Sequence, residues 1–410
     1  MSAKKIGTVT GAKIKCEHSF FWGVVGGAYL LLFYFAMLTE AQAVFYAQMA
    51  FSLFFGGWVL LQNTRSLRPF ILWTVLIVVG QLIMIMRGFP SEMTSTYREF
   101  FYLLMGVVFC AKKMDTRILS ICYYIIAALM AIRLIQNFHL FFLVTEDKQM
   151  SFFASSSVNY ISVFLLVMIG LIYYQARLQD KKPQVLLVFV ALVLSFLSKS
   201  RMGMITTVIM LFVVGNKGRL NAKYILRSIL ISIVLLIGLY FILDFAFDRL
   251  GMDGLAFLTD KFENRSSSYQ EDARFEILTG YLSGLTLESL FTGVDISKIP
   301  IFAMLENTHN TFLYMHYHYG IVALVIIYLL IKTFVFLYKR DKFLCLVFFL
   351  LLLRGFTDDV FFVKNFDMVL FVYMLAPYFS PLFKKSSRLK EMKLNYSAMS
   401  ANSVLEISKI

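Results

Sequence analysis

The sequence predicts an all-α, polytopic membrane protein with about twelve transmembrane helices and one large extracytoplasmic loop containing amphipathic helices. Three observations predict it. Of 410 residues, 59% are hydrophobic and 16% charged, and the mean hydropathy is +0.74, outside the range of soluble domains. Apolar runs of roughly 17 to 25 residues recur from end to end, the length a helix needs to cross a hydrocarbon core; membrane strands would be about half as long and would alternate. Basic residues also fall in alternate connections, as they do when short loops are retained in the cytoplasm.

The first span, 20–38, follows Lys4, Lys5, Lys13 and Lys15. It has no small-residue cleavage site and reads as a retained signal anchor. Spans 44–61 and 70–86 enclose Arg65 and Arg68, and spans 100–111 and 118–135 enclose Lys112, Lys113 and Arg117. A first long outer connection, 136–157, leads to spans 158–174 and 185–197, which enclose Arg177, Lys181 and Lys182. Spans 202–214 and 225–243 enclose Lys217, Arg219, Lys223 and Arg227. After the loop 244–308 come spans 312–337 and 343–353 around Lys339, Arg340 and Lys342, then span 368–383 and a basic cytoplasmic tail, 384–410. The whole chain reads as one membrane domain with both termini inside. The fourth, eighth and eleventh spans are short for a bilayer; extension into their flanks, a broken helix or a re-entrant segment would each account for that.

In this arrangement the opposite connections hold most of the acid: Glu40, Glu92, Glu99, Glu146, Asp147, Asp358 and Asp359. The net charge of +14 is therefore a topology signal rather than a nucleic-acid footprint. Cys16, Cys110, Cys122 and Cys345 fall on or near the cytoplasmic half, away from any extracellular disulfide. Short cytoplasmic connections and the absence of a P-loop exclude an internal nucleotide-binding domain.

The loop 244–308, about 65 residues, far exceeds an ordinary connection and suits a lid or binding element. Within it, 272–282 reads as an amphipathic helix lying against the membrane, with Phe275, Leu278 and Leu282 at helical spacing. The stretch 264–270 has turn composition.

Outer basic residues are few and concentrated: Lys199 and Arg201 in Ser198-Lys-Ser-Arg-Met-Gly, Arg265 and Arg274 in the long loop, and Arg354 at the end of span eleven. Arginine binds phosphate through two parallel hydrogen bonds, so a lipid diphosphate at the interface would suit the set; snorkelling to phospholipid headgroups is the plainer alternative for each. His309, in Glu306-Asn-Thr-His-Asn-Thr-Phe-Leu, carries an imidazole able to accept a proton from a sugar hydroxyl. The same segment also reads as a simple helix start, with Thr308 or Asn310 as cap and His309 exposed beside it. If a helix begins near Thr311, His309, Leu313 and His316 share a face, and a histidine within an apolar span is either functional or a buried, satisfied hydrogen-bonding group. Asp358 and Asp359 lack further ligands for an ion, so neither a metal nor any other cofactor is expected.

Ser200-Arg201-Met-Gly at an outer helix boundary, Arg274 followed by aromatic and apolar residues, and His309-Asn310-Thr-Phe-Leu leading to Gly320-Ile321 together resemble the O-antigen ligase and Wzy-type polysaccharide polymerase superfamily. The local motifs cover mainly residues 195–330, and the architecture covers the whole chain. The resemblance implies transfer of a glycan from an undecaprenyl-diphosphate-linked oligosaccharide, at the outer face of a bacterial inner membrane, without metal or nucleotide. It matches Arg201 and Arg274 to the arginines that hold the diphosphate and His309 to the histidine that activates the acceptor. Lys199, Arg265, Asn310, His316 and Arg354 are the accompanying candidates for substrate binding. Where the family often has Trp after its loop arginine, this chain has Phe275, Ile277 and Tyr281. The expected partners are the lipid-linked glycan, the membrane and a chain-length regulator protein, with no nucleic acid.

The leading expectation is a polymerase of repeat units for capsule or O-antigen. A ligase acting on lipid A core is the alternative within the superfamily. Outside it stand a lipid-linked oligosaccharide flippase, which would carry mid-membrane charges along a pathway, and a peptidoglycan polymerase dependent on an outer-loop aspartate, for which Asp272 and Asp295 are the candidates.

Overall fold

In a computed structural model of the chain, the described residues are 6–39, 41–63, 67–88, 93–137, 152–153, 158–215, 238, 241, 270–296, 310–362 and 365–383. They form α-helices in chain order: α1 (Ile6–Thr39), α2 (Gln42–Gln62), α3 (Leu67–Met86), α4 (Met93–Ala111), α5 (Thr116–Gln136), α6 (Tyr160–Leu178), α7 (Val185–Leu197), α8 (Arg201–Gly215), α9 (Gln270–Ser283), α10 (Leu287–Thr292), α11 (Thr311–Tyr319), α12 (Ile321–Arg340), α13 (Lys342–Thr357) and α14 (Asp367–Phe379). Among them six are long and apolar enough to cross a membrane: α2, α3, α5, α6, α12 and the His18–Thr39 part of α1. The all-helical, membrane-protein reading therefore holds for the described residues. The ninth expected span falls almost wholly outside them, as do the tail 384–410 and most of the loop 244–308.

The bundle is organised around α6, whose apolar window is 94% buried, and α14, which is buried along nearly its whole length. A helix hydrophobic on every side belongs inside a membrane bundle. Neighbouring helices approach closely where a side chain is missing: a Cβ at Gly106 would stand 2.7 Å from Phe371 Cβ, and one at Gly56 2.6 Å from Leu104 Cβ. Small residues let helix backbones come together in lipid, where dispersion replaces the hydrophobic effect as the driving force.

Two of the three short spans extend well into their flanks. The fourth expected span begins at Met93 and runs 19 residues, and the eleventh continues through Arg354 to Thr357. The eighth reaches only 15 residues. The tenth is corrected. Instead of one helix over 312–337 the chain makes two, α11 and α12, separated at Gly320 (φ 52°, ψ −129°). Only glycine adopts that conformation readily, and a Cβ there would lie 2.0 Å from the carbonyl oxygen of Phe291 in α10. The break is where α10 docks.

Helix ends sort into two sets. At one, the basic connections are tied together: the Arg177–Asp341 ion pair closes at 2.7 Å, Lys112 Nζ donates to Gln62 Oε1 at 2.5 Å, and the Met114 amide donates to Gln175 Oε1 at 2.9 Å. At the other, Arg98 Nη1 donates to Asn365 Oδ1 at 3.1 Å, the Tyr160 hydroxyl donates to the Asp359 carbonyl at 3.1 Å, and the Tyr319 hydroxyl donates to Glu99 Oε1. The first set holds the basic connections.

Candidate functional site

The start of α8 is set by a run of backbone bonds: Ser198 N to Leu194 O, Lys199 N to Phe196 O and Ser200 N to Ser195 O, each 2.9 Å. Lys199 itself sits at φ 51°, so the chain turns within a single residue between α7 and α8. Ser200 then caps α8, its Oγ accepting from Gly203 N at 3.3 Å. Across the bundle Ser200 Oγ lies 2.9 Å from Ser162 Oγ. Since Ser162 spends its proton on the Asn159 carbonyl at 2.8 Å, the Ser200 hydroxyl is the donor in that pair. Gly203 permits the approach, because a Cβ there would fall 2.4 Å from Ser162 Cβ. Arg201, the first helical residue, is thereby held level with the first turn of α6. Its helix presents the positive end of its dipole at the same place.

Asn310 caps α11, with Oδ1 accepting from Phe312 N at 2.9 Å and Leu313 N at 3.2 Å. Thr311 fastens that helix start to the end of α13. Its hydroxyl donates to the Asp358 carbonyl at 2.8 Å and accepts from Val360 N at 2.9 Å and Phe361 N at 3.2 Å. The 358–362 turn is in turn bound to Tyr160 in the first turn of α6. The starts of α6, α8 and α11 and the end of α13 thus meet at one end of the bundle, and α8 packs against both α6 and α13.

Arg354 belongs to this end but is engaged. It is 2% exposed, and its Nη1 donates to Asp358 Oδ2 at 2.5 Å and to Thr357 Oγ1 at 3.2 Å. Its Nε is buried without a hydrogen-bond partner among the described residues. Asp358 is accordingly the counter-ion of an arginine. Among the described residues, no three His, Cys, Asp or Glu side chains gather as metal ligands would.

His316 has a structural partner on each nitrogen. Nδ1 lies 2.7 Å from the Tyr281 hydroxyl and Nε2 lies 3.1 Å from the Leu290 carbonyl, so the ring bridges α11 to α9 and α10. Arg87, just past α3, reinforces the joint: it donates to the Tyr317 carbonyl and to the Val294 carbonyl at 3.3 Å, and stacks 4.9 Å from the Tyr317 ring. The amphipathic helix expected over 272–282 is α9, packed through Ile277 and Tyr281 while Phe275 (67% exposed) and Leu282 (54% exposed) face outward. Burial draws Tyr281 and His316 inward, while the expected apolar stripe splits, Phe275 and Leu282 lying on the exposed side.

Of the candidate residues, the structure brings Arg201, Lys199, Asn310 and Arg354 to one end. His309 lies outside the described residues, immediately before the Asn310 cap, and so does Arg265. Arg274 is placed by its backbone alone, in the second turn of α9; its side chain also lies outside the description. Sequence reasoning missed Arg87, Arg98 and Ser162. Arg87 and Arg98 were visible as scarce basic residues in an otherwise acidic connection, whereas Ser162 carried no signal at all. No family model, no curated protein and no solved structure matches this chain.

Proposed function

We propose that the chain is a Wzy-type polymerase that joins undecaprenyl-diphosphate-linked oligosaccharide repeat units into O-antigen or capsular polysaccharide at the outer face of a bacterial inner membrane. The layout in this reading is twelve spans with the large loop 244–308 outside. Arg201 and Arg274 hold the donor diphosphate. His309 takes the proton of the acceptor hydroxyl as its oxygen bonds to the anomeric carbon, and the bond from that carbon to the diphosphate oxygen breaks, releasing the lipid diphosphate. Diphosphate is a good leaving group, so cationic stabilisation of the departing charge and positioning of the hydroxyl are the main requirements.

The observation that carries the reading is the convergence of the Arg201 helix start with the Asn310-capped helix that directly follows His309, through Ser200–Ser162, Tyr160–Asp359 and Thr311–Asp358. It supports a shared site at the end of the bundle opposite the basic connections. The test supplies the full chain, reconstituted in vesicles, with lipid-linked repeat units as both donor and acceptor. A polymerase lengthens them into a ladder, and His309→Ala in the folded protein stops it. No lengthening by the unaltered chain favours a ligase, and a normal ladder from His309→Ala removes the histidine from the mechanism.

A further inference from the structure

At the basic end a groove of about 420 Å³ opens between α3, α12 and α14. Its walls are apolar, formed in part by Leu72, Trp73, Leu329 and Phe336, and two cations line it, Arg68 from the first turn of α3 and Lys332 from α12. Among the described residues neither cation has an ion-pair or hydrogen-bond partner. Both are exposed.

Lys332 is the unusual member. It lies inside a candidate membrane span, eight residues before Arg340, or about 12 Å at the rise of an α-helix. A lysine at that depth on an outward face is costly unless it meets an anion or bends to the interface. Bending is hindered here, because Cα–Cβ bonds lean toward the helix N-terminus, which for α12 points away from its basic end. A phosphate carried down on a hydrocarbon chain resolves the conflict. Two cations facing one groove with aliphatic and aromatic walls match the charged and apolar halves of a phospholipid.

We propose that this groove binds one anionic phospholipid, its phosphate between Arg68 and Lys332 beside Phe336 and an acyl chain laid inward along Leu72 and Leu329. The lipid would brace α3 against α12 at the end remote from the site above, and the proposal stands whatever reaction the chain performs.

The experiment titrates the detergent-solubilised full chain with phosphatidylglycerol and, separately, phosphatidylcholine, and counts retained lipid by native mass spectrometry. One phosphatidylglycerol retained in preference to phosphatidylcholine is expected, weakened about fivefold by Arg68→Gln and again by Lys332→Leu. Lys332→Arg keeps it, and Arg340→Gln, outside the groove, leaves it unchanged. Leucine suits an outward position in a span, so Lys332→Leu reports binding rather than folding. Equal retention by the unaltered chain and the Arg68→Gln/Lys332→Leu double variant overturns the proposal. So does equal retention of the two lipids, or displacement of the lipid by inorganic phosphate alone, which would mark a free-phosphate site.

Discussion

The Tyr281 hydroxyl stands 2.7 Å from His316 Nδ1, and this contact helps to join α9 to the bundle. The Leu290 carbonyl on the other side of the ring can only accept. Nε2 therefore carries the hydrogen and Nδ1 accepts from Tyr281, the arrangement of a neutral imidazole. Protonation would put a second N–H against the phenol and a charge beside Arg87, whose guanidinium is anchored on the adjacent Tyr317 carbonyl.

The junction should consequently loosen in acid. Burial pulls the His316 pKa below its ordinary value, against the opposing hydrogen bond to Leu290 and with a smaller contribution from Arg87. A ring freed from the joint takes its proton near pH 6.5, whereas the docked ring does so lower. Docking is thus fully stable above about pH 6.5 and weakens as pH falls through the window beneath it. The protection of α9 amides, meaning exchange relative to the intrinsic rate at each pH, should fall between pH 7.5 and 5.5, and His316→Gln should remove the difference. Tyr281→Phe should raise exchange at both values, since it strands a buried acceptor at a cost of about 1 to 3 kcal/mol. Unchanged protection in acid would show that the joint does not depend on the neutral ring.

How much of this was legible depended on the kind of signal. The apolar runs located α1, α2, α3, α5, α6 and α12 because transfer into hydrocarbon depends on composition averaged over a span. The same averaging hid the break at Gly320, whose cause is the Phe291 carbonyl approaching from a distant helix. It also placed the start of α4 seven residues late. Tyr97, Arg98 and Glu99 look like loop, yet Glu99 is 1% exposed and bonded to Tyr319, a partner no local window contains. At the candidate site, Arg201 and the Asn310 cap were readable from motif and helix-start chemistry. Ser162 and Tyr160 were not, because a lone serine or tyrosine at a helix start becomes informative only when its cross-bundle partner is known.

Gly320→Ala tests the break directly. The φ of 52° with ψ of −129° strains any L residue, and the new methyl would meet the Phe291 carbonyl oxygen at 2.0 Å. The two effects together should cost at least about 3 kcal/mol, seen as a large fall in the melting temperature of the purified protein. Gly57→Ala is the control. Nothing lies within 4 Å of a Cβ there, and alanine in a helix is favoured by up to about 1 kcal/mol. Equal behaviour of the two variants would mean that α10 does not dock at the break.

Arg201 and Ser200 should separate chemistry from positioning. Arg201→Lys keeps the charge but loses the planar fork for two phosphate oxygens; if the proposed polymerisation is the reaction, it should drop about 10²-fold or more with the melting temperature unchanged. Ser200→Ala removes both the α8 cap and the link to Ser162, costing about 1 kcal/mol of stability and lowering activity by a smaller factor through a displaced Arg201. Full activity for Arg201→Lys would return that residue to headgroup snorkelling.

Arg354 invites two roles, and its pairing with Asp358 gives a way to tell them apart. The guanidinium is 2% exposed and meets the carboxylate at 2.5 Å one helical turn on. Removing either partner leaves a charge in a dry place, so Arg354→Met and Asp358→Leu should each destabilise the protein by about 3 to 5 kcal/mol. Replacing both at once, Arg354→Met with Asp358→Leu, removes the orphaned charge and should recover most of that loss. If Arg354 only braces the end of α13, the double variant is stable and active. If Arg354 instead serves the donor diphosphate of the proposed reaction, the double variant is stable and inactive, with the KM for lipid-linked glycan raised before kcat falls. A double variant as unstable as the singles would show that the pair is not what holds this turn.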